Sequence, residues 1–450
     1  MASGNPDPGG SPALAAESPG RAVTATGADT GGEAAGPVPA AGPWLARRLF
    51  PLLATVALLI IGMGGTIWWG PAMIGHTAWS LPHDLWGTLI AASRLVHLDV
   101  GGLYTQPTGL ITLPGGALIL APAAAVIDAA GLSLRIPGPH SPQPAAWLIA
   151  GPYQIVLSAV VLFAADAIAE QLGLTRWRRM ALTAAQAMAL WNVSVQWGHP
   201  EDAVAVGLLL YSILALSRSK TARSAWLLGA AVAIQPLVLL ALPFLAVVVE
   251  PRRLPGYLAR AAAPAAVLLA AAAAANWPAT FTAITSQPNW VTVDHPTAWT
   301  FLAPSLHGGG VAAGPARLII IAVACGCALV AGRRLRGAWR AGHWSPQLLT
   351  ELLWWAALGL ALRSVFEPVM VAYYLWPPLA LVLIPAASNW LSLITTSVIA
   401  GLLTFGSQVS WRGPWSWWLP MVIGLALAML AARLPLGRKG PARWGQPDTP

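Results

Sequence analysis

Residues 47–70 read RRLFPLLATVALLIIGMGGTIWWG. Two arginines open the stretch, no charge follows them, and Trp68-Trp69 nearly closes it. About 20 mostly apolar residues are enough to cross a hydrocarbon core of roughly 30 Å, and tryptophan is enriched where that core meets water. The stretch therefore reads as a membrane span with its basic end marked. The same pattern recurs along the chain, with apolar segments at 50–70, 110–130, 147–169, 180–197, 203–217, 225–249, 258–276, 318–332, 348–362, 373–388, 391–408 and 417–432. The expected fold class is all-α: a polytopic transmembrane helix bundle of about 11–13 membrane segments, with short outer loops and an amphipathic juxtamembrane helix.

Composition excludes the soluble alternatives. Of 450 residues, 56% are hydrophobic and only 9% charged, and the mean hydropathy is +0.64. The abundant Ala and Gly let helices approach closely in lipid. The formal charge of +9 does not indicate nucleic acid, because the arginines sit in short connectors: Arg47-Arg48, Arg176/Arg178/Arg179, Arg252-Arg253, Arg333-Arg334/Arg336/Arg340 and Arg438-Lys439. Such juxtamembrane clusters set topology and attract anionic membrane lipids. Cys325 and Cys327 stand at i,i+2 in one apolar segment and point apart, so neither a disulfide nor a metal site is expected. Residues 1–43, rich in Ala, Gly, Pro and Ser, read as a disordered cytoplasmic tail. Residues 44–435 form the multi-pass membrane domain, and 436–450 a second cytoplasmic tail.

Placing the basic clusters in the cytoplasm leaves outer loops at 71–109, 198–202, 277–317, 363–372 and 409–416. Two segments break the parity of that count. Two apolar segments separate the loop 71–109 from the cluster 176–179, where an odd number is needed. A single segment, 225–249, joins two basic clusters, where an even number is needed. Pro114 and Pro122 punctuate the first anomaly, Pro236 and Pro243 the second. Broken helices are tolerated where freed backbone is buried in protein. At least one of 110–130 and 225–249 is therefore expected not to cross simply; the alternative is that one basic cluster violates the rule.

The remaining titratable residues collect mainly in the outer loops. The first carries Pro82-His83-Asp84-Leu85-Trp86, then Arg94, His97, Asp99 and Tyr104, and its stretch from Leu85 to Leu98 has the pattern of a helix lying along the membrane surface. The second is Gly198-His199-Pro200-Glu201-Asp202, where Glu201 and Asp202 are either functional acids or acids favoured by a helix N-terminus. The third, 277–317, contains Asp294-His295-Pro296 and reads either as a lid or as a connector. The fourth has Arg363, Glu367, Tyr373 and Tyr374. An arginine on the outer side runs against the topology signal, so Arg363 either pairs with Glu367 or binds an anion such as phosphate. Asp128, Asp166 and Glu170, near segment ends, read as interface residues. No phosphate-binding loop, dinucleotide fingerprint, zinc spacing or nucleophile elbow is present. Any group donor must therefore arrive through the membrane.

The order of four features resembles the GT-C superfamily of integral-membrane glycosyltransferases, and most of all the actinobacterial mannosyltransferases that use polyprenyl-phosphate mannose. These features are Asp84-Leu85 to Leu103-Tyr104; Leu113-Pro114 to Ala121-Pro122; the Gly-His-Pro-Glu-Asp-Ala turn at 198–203 with its helix ending near Gln235-Pro236; and Tyr373-Tyr374-Leu375-Trp376-Pro377-Pro378. The chain departs from the family at Leu113-Pro114-Gly115, where Tyr-Pro-Pro is common, and at Gln235, where a basic residue is common. The resemblance implies inverting sugar transfer on the outer face of the cell membrane, from a polyprenyl-phosphate sugar to a lipid-linked or glycan acceptor. It implies Asp84 as general base. Arg363 is the candidate for the donor phosphate, with Arg94, His83 and His199 in reserve. Glu201, Asp202, Tyr104, Asp294, His295 and Tyr373 are the candidates for sugar or acceptor contacts. No cofactor is expected, and a divalent cation stays open.

Two other classes remain. A transporter of lipids or small molecules calls for charges near the bilayer midplane and an inverted repeat, and a structural membrane subunit calls for no clustering of His, Asp and Glu. Among transferases, a polyprenyl-phosphate arabinose donor fits nearly as well as mannose.

Overall fold

The computed structural model describes residues 44–69, 83–105, 110, 112–134, 145–285, 295–306, 310–336, 344–409 and 411–433. Both expected tails, 1–43 and 436–450, lie outside them. The chain forms two units, Met1–Arg47 and Arg48–Pro450. Of the first, the described part is the helical turn Trp44–Arg47.

The second unit is a helix bundle. Its helices are α1 (Leu49–Trp69), α2 (His83–Val96), α3 (Pro114–Ala129), α4 (Trp147–Gln171), α5 (Arg176–Trp191), α6 (Pro200–Ser217), α7 (Thr221–Ile234), α8 (Leu242–Ala246) and α9 (Leu254–Ala275), followed by α10 (Trp277–Thr285), α11 (Ala316–Leu335), α12 (Pro346–Phe366), α13 (Trp376–Ala386), α14 (Trp390–Gly406) and α15 (Leu419–Ala431). Several open on proline, as at Pro114, Pro200 and Pro346, where the missing N–H costs nothing. Among the described residues, six helices are long and apolar enough to cross a membrane: α4, α6, α9, α11, α12 and the run Pro414–Ala431; seven shorter apolar helices accompany them. The only strands described are β1 (His295–Pro296) and β2 (Val369–Met370), an antiparallel pair.

Arginines gather one end of the bundle. Arg48 donates to Asp166 at 2.7 Å and to Glu170 at 2.6 Å, and Arg179 reaches both oxygens of Asp166 at 2.8 Å. Arg178 donates to the Ser388 carbonyl at 2.7 Å, and Arg433 to Glu351 at 2.9 Å. The starts of α1, α5 and α14 and the ends of α4, α13 and α15 therefore share this basic end. The Asp166 side chain is fully buried, and two guanidinium groups meet it there. Helix faces made of apolar and small residues bring the three elements close enough for that contact.

The segment 110–130 does not run to the basic end. A side chain at Gly115 would collide with the carbonyl of Ala233, so the start of α3 rests on the last turn of α7. At its far end Asp128 accepts from Ser93 at 2.8 Å. Nearby, Asn276, just past α9, donates to Gly101 at 3.1 Å. Both ends of α3 thus lie away from the arginines. The helix α2 packs on α3 and buries Leu85, Trp86, Leu89 and Ala92 in a satellite core with Leu120, Ala124 and Ile127. Its last residue, Val96, and the following His97 and Leu98 are exposed.

The segment 225–249 goes out and returns. Pro236 lacks an N–H and forces the preceding residue out of the helical region, and Gln235 is extended at φ −144°, ψ 112°. The chain then doubles back through a 3₁₀ turn and α8. Val247 arrives beside Gly332, next to Arg333 and Arg334. Close approach makes the return possible, since a side chain at Gly359 would strike the Leu240 carbonyl.

Candidate functional site

The site at the other end starts with a break in a helix. After α5 the chain takes one wide turn, Asn192–Gln196, of π type, a feature often found at functional positions. The Asn192 side chain sits in a buried polar network, accepting from Gln408 at 2.8 Å. Gly198 then adopts φ +64°, which L side chains resist, and Pro200 opens α6. The reversal places Glu201 and Asp202 in the first turn of α6, with His199 just before them.

His199, Glu201 and Asp202 are all buried. The His199 Nδ1 lies 2.8 Å from the Glu201 Oε1, and its ring stacks on Tyr373 with centroids 3.9 Å apart. Asp202 accepts from the Gln235 amide at 2.5 Å. The proline break after α7 thereby gains its use, because it leaves Gln235 free of the helix and aimed at α6. Among the described residues, the second oxygens of Glu201 and Asp202 have no hydrogen-bond partner.

Arg363, in the last turn of α12, completes the cluster. Its guanidinium lies 3.5 Å from the centroid of the Tyr374 ring, and its Nε is 3.7 Å from Glu367. Tyr374 meets Tyr373 edge-on at 5.0 Å, so the aromatic pair joins the arginine to His199. Of the two alternatives drawn for Arg363, the pair with Glu367 is present, with the guanidinium also packed on Tyr374.

The third loop is anchored rather than loose. β1 pairs with β2, Trp299 donates to the Val365 carbonyl at 2.7 Å, and His295 stacks flat on Trp417 at 3.6 Å. Burial lowers the His295 pKa to about 4; the charge of Arg412 adds to the effect, and a hydrogen bond to the Trp411 backbone opposes it. Asp294 lies outside the described residues.

Of the first-loop candidates, Tyr104 packs against the satellite core. His83 and Asp84 form the first turn of α2. Arg94 is paired with Asp99 at 2.6 Å, which makes it a loop-closing residue. The Tyr104 hydroxyl donates to the Thr112 carbonyl at 3.1 Å, and burial raises its pKa. Thr112 precedes the start of α3, which rests on Ala233 and Ile234 immediately before Gln235.

The structure thus brings together His199, Glu201, Asp202, Arg363 and Tyr373, while Tyr104 and Arg94 make their contacts elsewhere. Gln235, noted in the sequence only as a departure from the family, was not among the candidate site residues. Its signal was present, as an amide just before a proline inside an apolar run. Among the described residues no three His, Cys, Asp or Glu side chains are arranged to hold a metal ion. In comparisons with known proteins, the chain matches no family model, no curated protein and no solved structure.

Proposed function

We propose that the chain is an integral-membrane glycosyltransferase that moves a sugar, mannose before arabinose, from a polyprenyl-phosphate donor to a lipid-linked or glycan acceptor. The observation that carries this reading is the gathering of two buried acids, a histidine and an arginine at the end of the bundle away from the basic clusters. By the positive-inside rule that end faces outward from the cell membrane. Intramembrane and boundary charges are costly and mark function when they cluster.

In the proposed reaction the acceptor hydroxyl gives its proton to a carboxylate as its oxygen bonds to the anomeric carbon. The bond from that carbon to the phosphate oxygen breaks, and the polyprenyl phosphate departs with the electron pair. General-base help of this kind contributes about 10²–10⁴ in rate. Arg363 stabilises the charge gathering on the leaving phosphate. Asp84 is the base by the resemblance of the first loop. A second assignment, Asp202, is favoured by its unpartnered buried oxygen beside Gln235.

The test is a transfer assay with purified protein in lipid, offering radiolabelled polyprenyl-phosphate mannose and, separately, arabinose. Wild-type protein moves label to acceptor, Asp84→Asn does not, and Asp202→Asn keeps measurable turnover. Loss with Asp202→Asn alone transfers the base role to Asp202. No transfer by wild type from either donor, with native acceptors present, rejects the reading in favour of a transporter or a structural subunit.

A further inference from the structure

A groove of about 460 Å³ runs along the flank of the bundle between α1, α5 and the end of α14. On α1 it is lined by Phe50, Leu53, Ala57 and Ile61, whose helical spacing makes one continuous stripe. From Phe50 to Ile61 that stripe extends about 16 Å along the helix. Alanines form much of its floor, which gives depth, while Leu53, Ile61 and Phe405 on its rim are each more than half exposed. Thr183 is its one polar lining residue, and the Thr183 hydroxyl donates to the Arg179 carbonyl. The interior therefore offers a ligand nothing but apolar contact.

The two ends differ in charge. At the basic end the Arg176 guanidinium sits over the Phe50 ring, 5.5 Å from its centroid, and meets no carboxylate among the described residues. Arg176 is exposed, and Trp177 beside it is 65% exposed, as suits an aromatic at the headgroup level. The opposite end closes on Trp191 and Phe405, with no charged residue in the lining. A narrow apolar channel with one cation at its mouth is complementary to a single hydrocarbon chain attached to an anionic head.

We propose that this groove holds one acyl chain of an anionic phospholipid, with its headgroup phosphate on Arg176. Ala54, Ala57, Ala184 and Ala187 floor the channel, and the cation at its mouth selects an occupant that carries an anionic head. The lipid wedges α1 against α5 on the same flank where Arg48 and Arg179 converge on Asp166. The groove shares no residue with the cluster around His199, so the proposal does not depend on transfer activity.

The experiment is native mass spectrometry of the full chain released from vesicles of equal phosphatidylcholine and phosphatidylglycerol, doped with undecaprenyl phosphate. Wild-type protein retains phosphatidylglycerol in preference to phosphatidylcholine. Arg176→Gln lowers that preference about fivefold, the amount one basic side chain supplies near an anionic surface, while leaving the protein monodisperse. Ala57→Trp fills the channel and removes bound phospholipid of both kinds. Retention of phosphatidylglycerol unchanged in both variants overturns the proposal. Retention of undecaprenyl phosphate alone, insensitive to Arg176→Gln, overturns the headgroup and orientation assigned here.

Discussion

His199 lies flat against Tyr373, with ring centroids 3.9 Å apart and planes 30° from parallel, while its Nδ1 holds Glu201. One imidazole thus ties the turn before α6 to the 3₁₀ segment before α13, two pieces of chain far apart in sequence.

That double duty separates two kinds of substitution. His199→Ala removes the stack and leaves Glu201 buried beside no donor, a change of about 3 kcal/mol or more. His199→Gln keeps an amide within reach of Glu201 and costs less. Thermal unfolding in detergent orders wild type, Gln and Ala in that sequence. Equal melting of the two variants rejects the Glu201 contact as the main term.

The basic end should respond more sharply. Asp166→Ala leaves Arg48 and Arg179 with their shared buried partner gone, and breaking a buried charge pair typically costs about 3–5 kcal/mol. Glu170→Ala removes a contact at a carboxylate that is 30% exposed, and loses about 1 kcal/mol or less. Denaturation of both variants decides the matter, and a milder effect at Asp166 than at Glu170 contradicts the burial argument.

If Arg363 receives the leaving phosphate, Arg363→Ala lowers transfer about 10²–10³-fold. Arg363→Lys does not restore it, because an ammonium lacks the planar face that lies on Tyr374. Full rescue by lysine in the transfer assay would show that charge alone suffices.

Acid weakens the third loop through His295. Its folded pKa, about 4, lies below the unfolded value near 6.5, so the fold favours the neutral ring. The stabilisation is complete above pH 6.5 and is lost as pH falls toward 4. His295→Phe keeps an aromatic on Trp417 and flattens that part of the melting profile; an unchanged acid slope refutes the assignment.

The return of 225–249 is testable by labelling. In a chain with Cys325 and Cys327 replaced by serine, Ser219→Cys and Glu250→Cys react with an impermeant thiol reagent from the same side of a vesicle, and Ser133→Cys reacts from the other. Opposite sides for residues 219 and 250 would mean that the segment crosses once.

The bundle itself was legible in local composition. Apolar runs such as 49–69 and 316–335 can only be helices in lipid, because each must satisfy its own backbone hydrogen bonds. Pro114 opens the helix of the first anomalous segment, and Pro236 breaks the helix of the second. What α3 does was not legible, because it depends on Gly115 meeting Ala233 across the bundle, a contact that hydropathy does not encode.

The candidate site divides in the same way. The turn 198–202 announced itself by crowding titratable groups into five residues, and Arg363 by standing on the wrong side for a topology signal. The reach of Gln235 to Asp202, the stack of Tyr373 on His199 and the burial of Asp166 between two arginines were decided by tertiary structure. Each joins side chains whose separation in sequence carries no signal, and each exists because helix packing removes water and leaves a buried polar group only its neighbours to bind. Sequence alone determined that this chain is a membrane helix bundle whose basic residues fall mostly in clusters between its apolar segments. Packing decided which of the remaining polar residues meet.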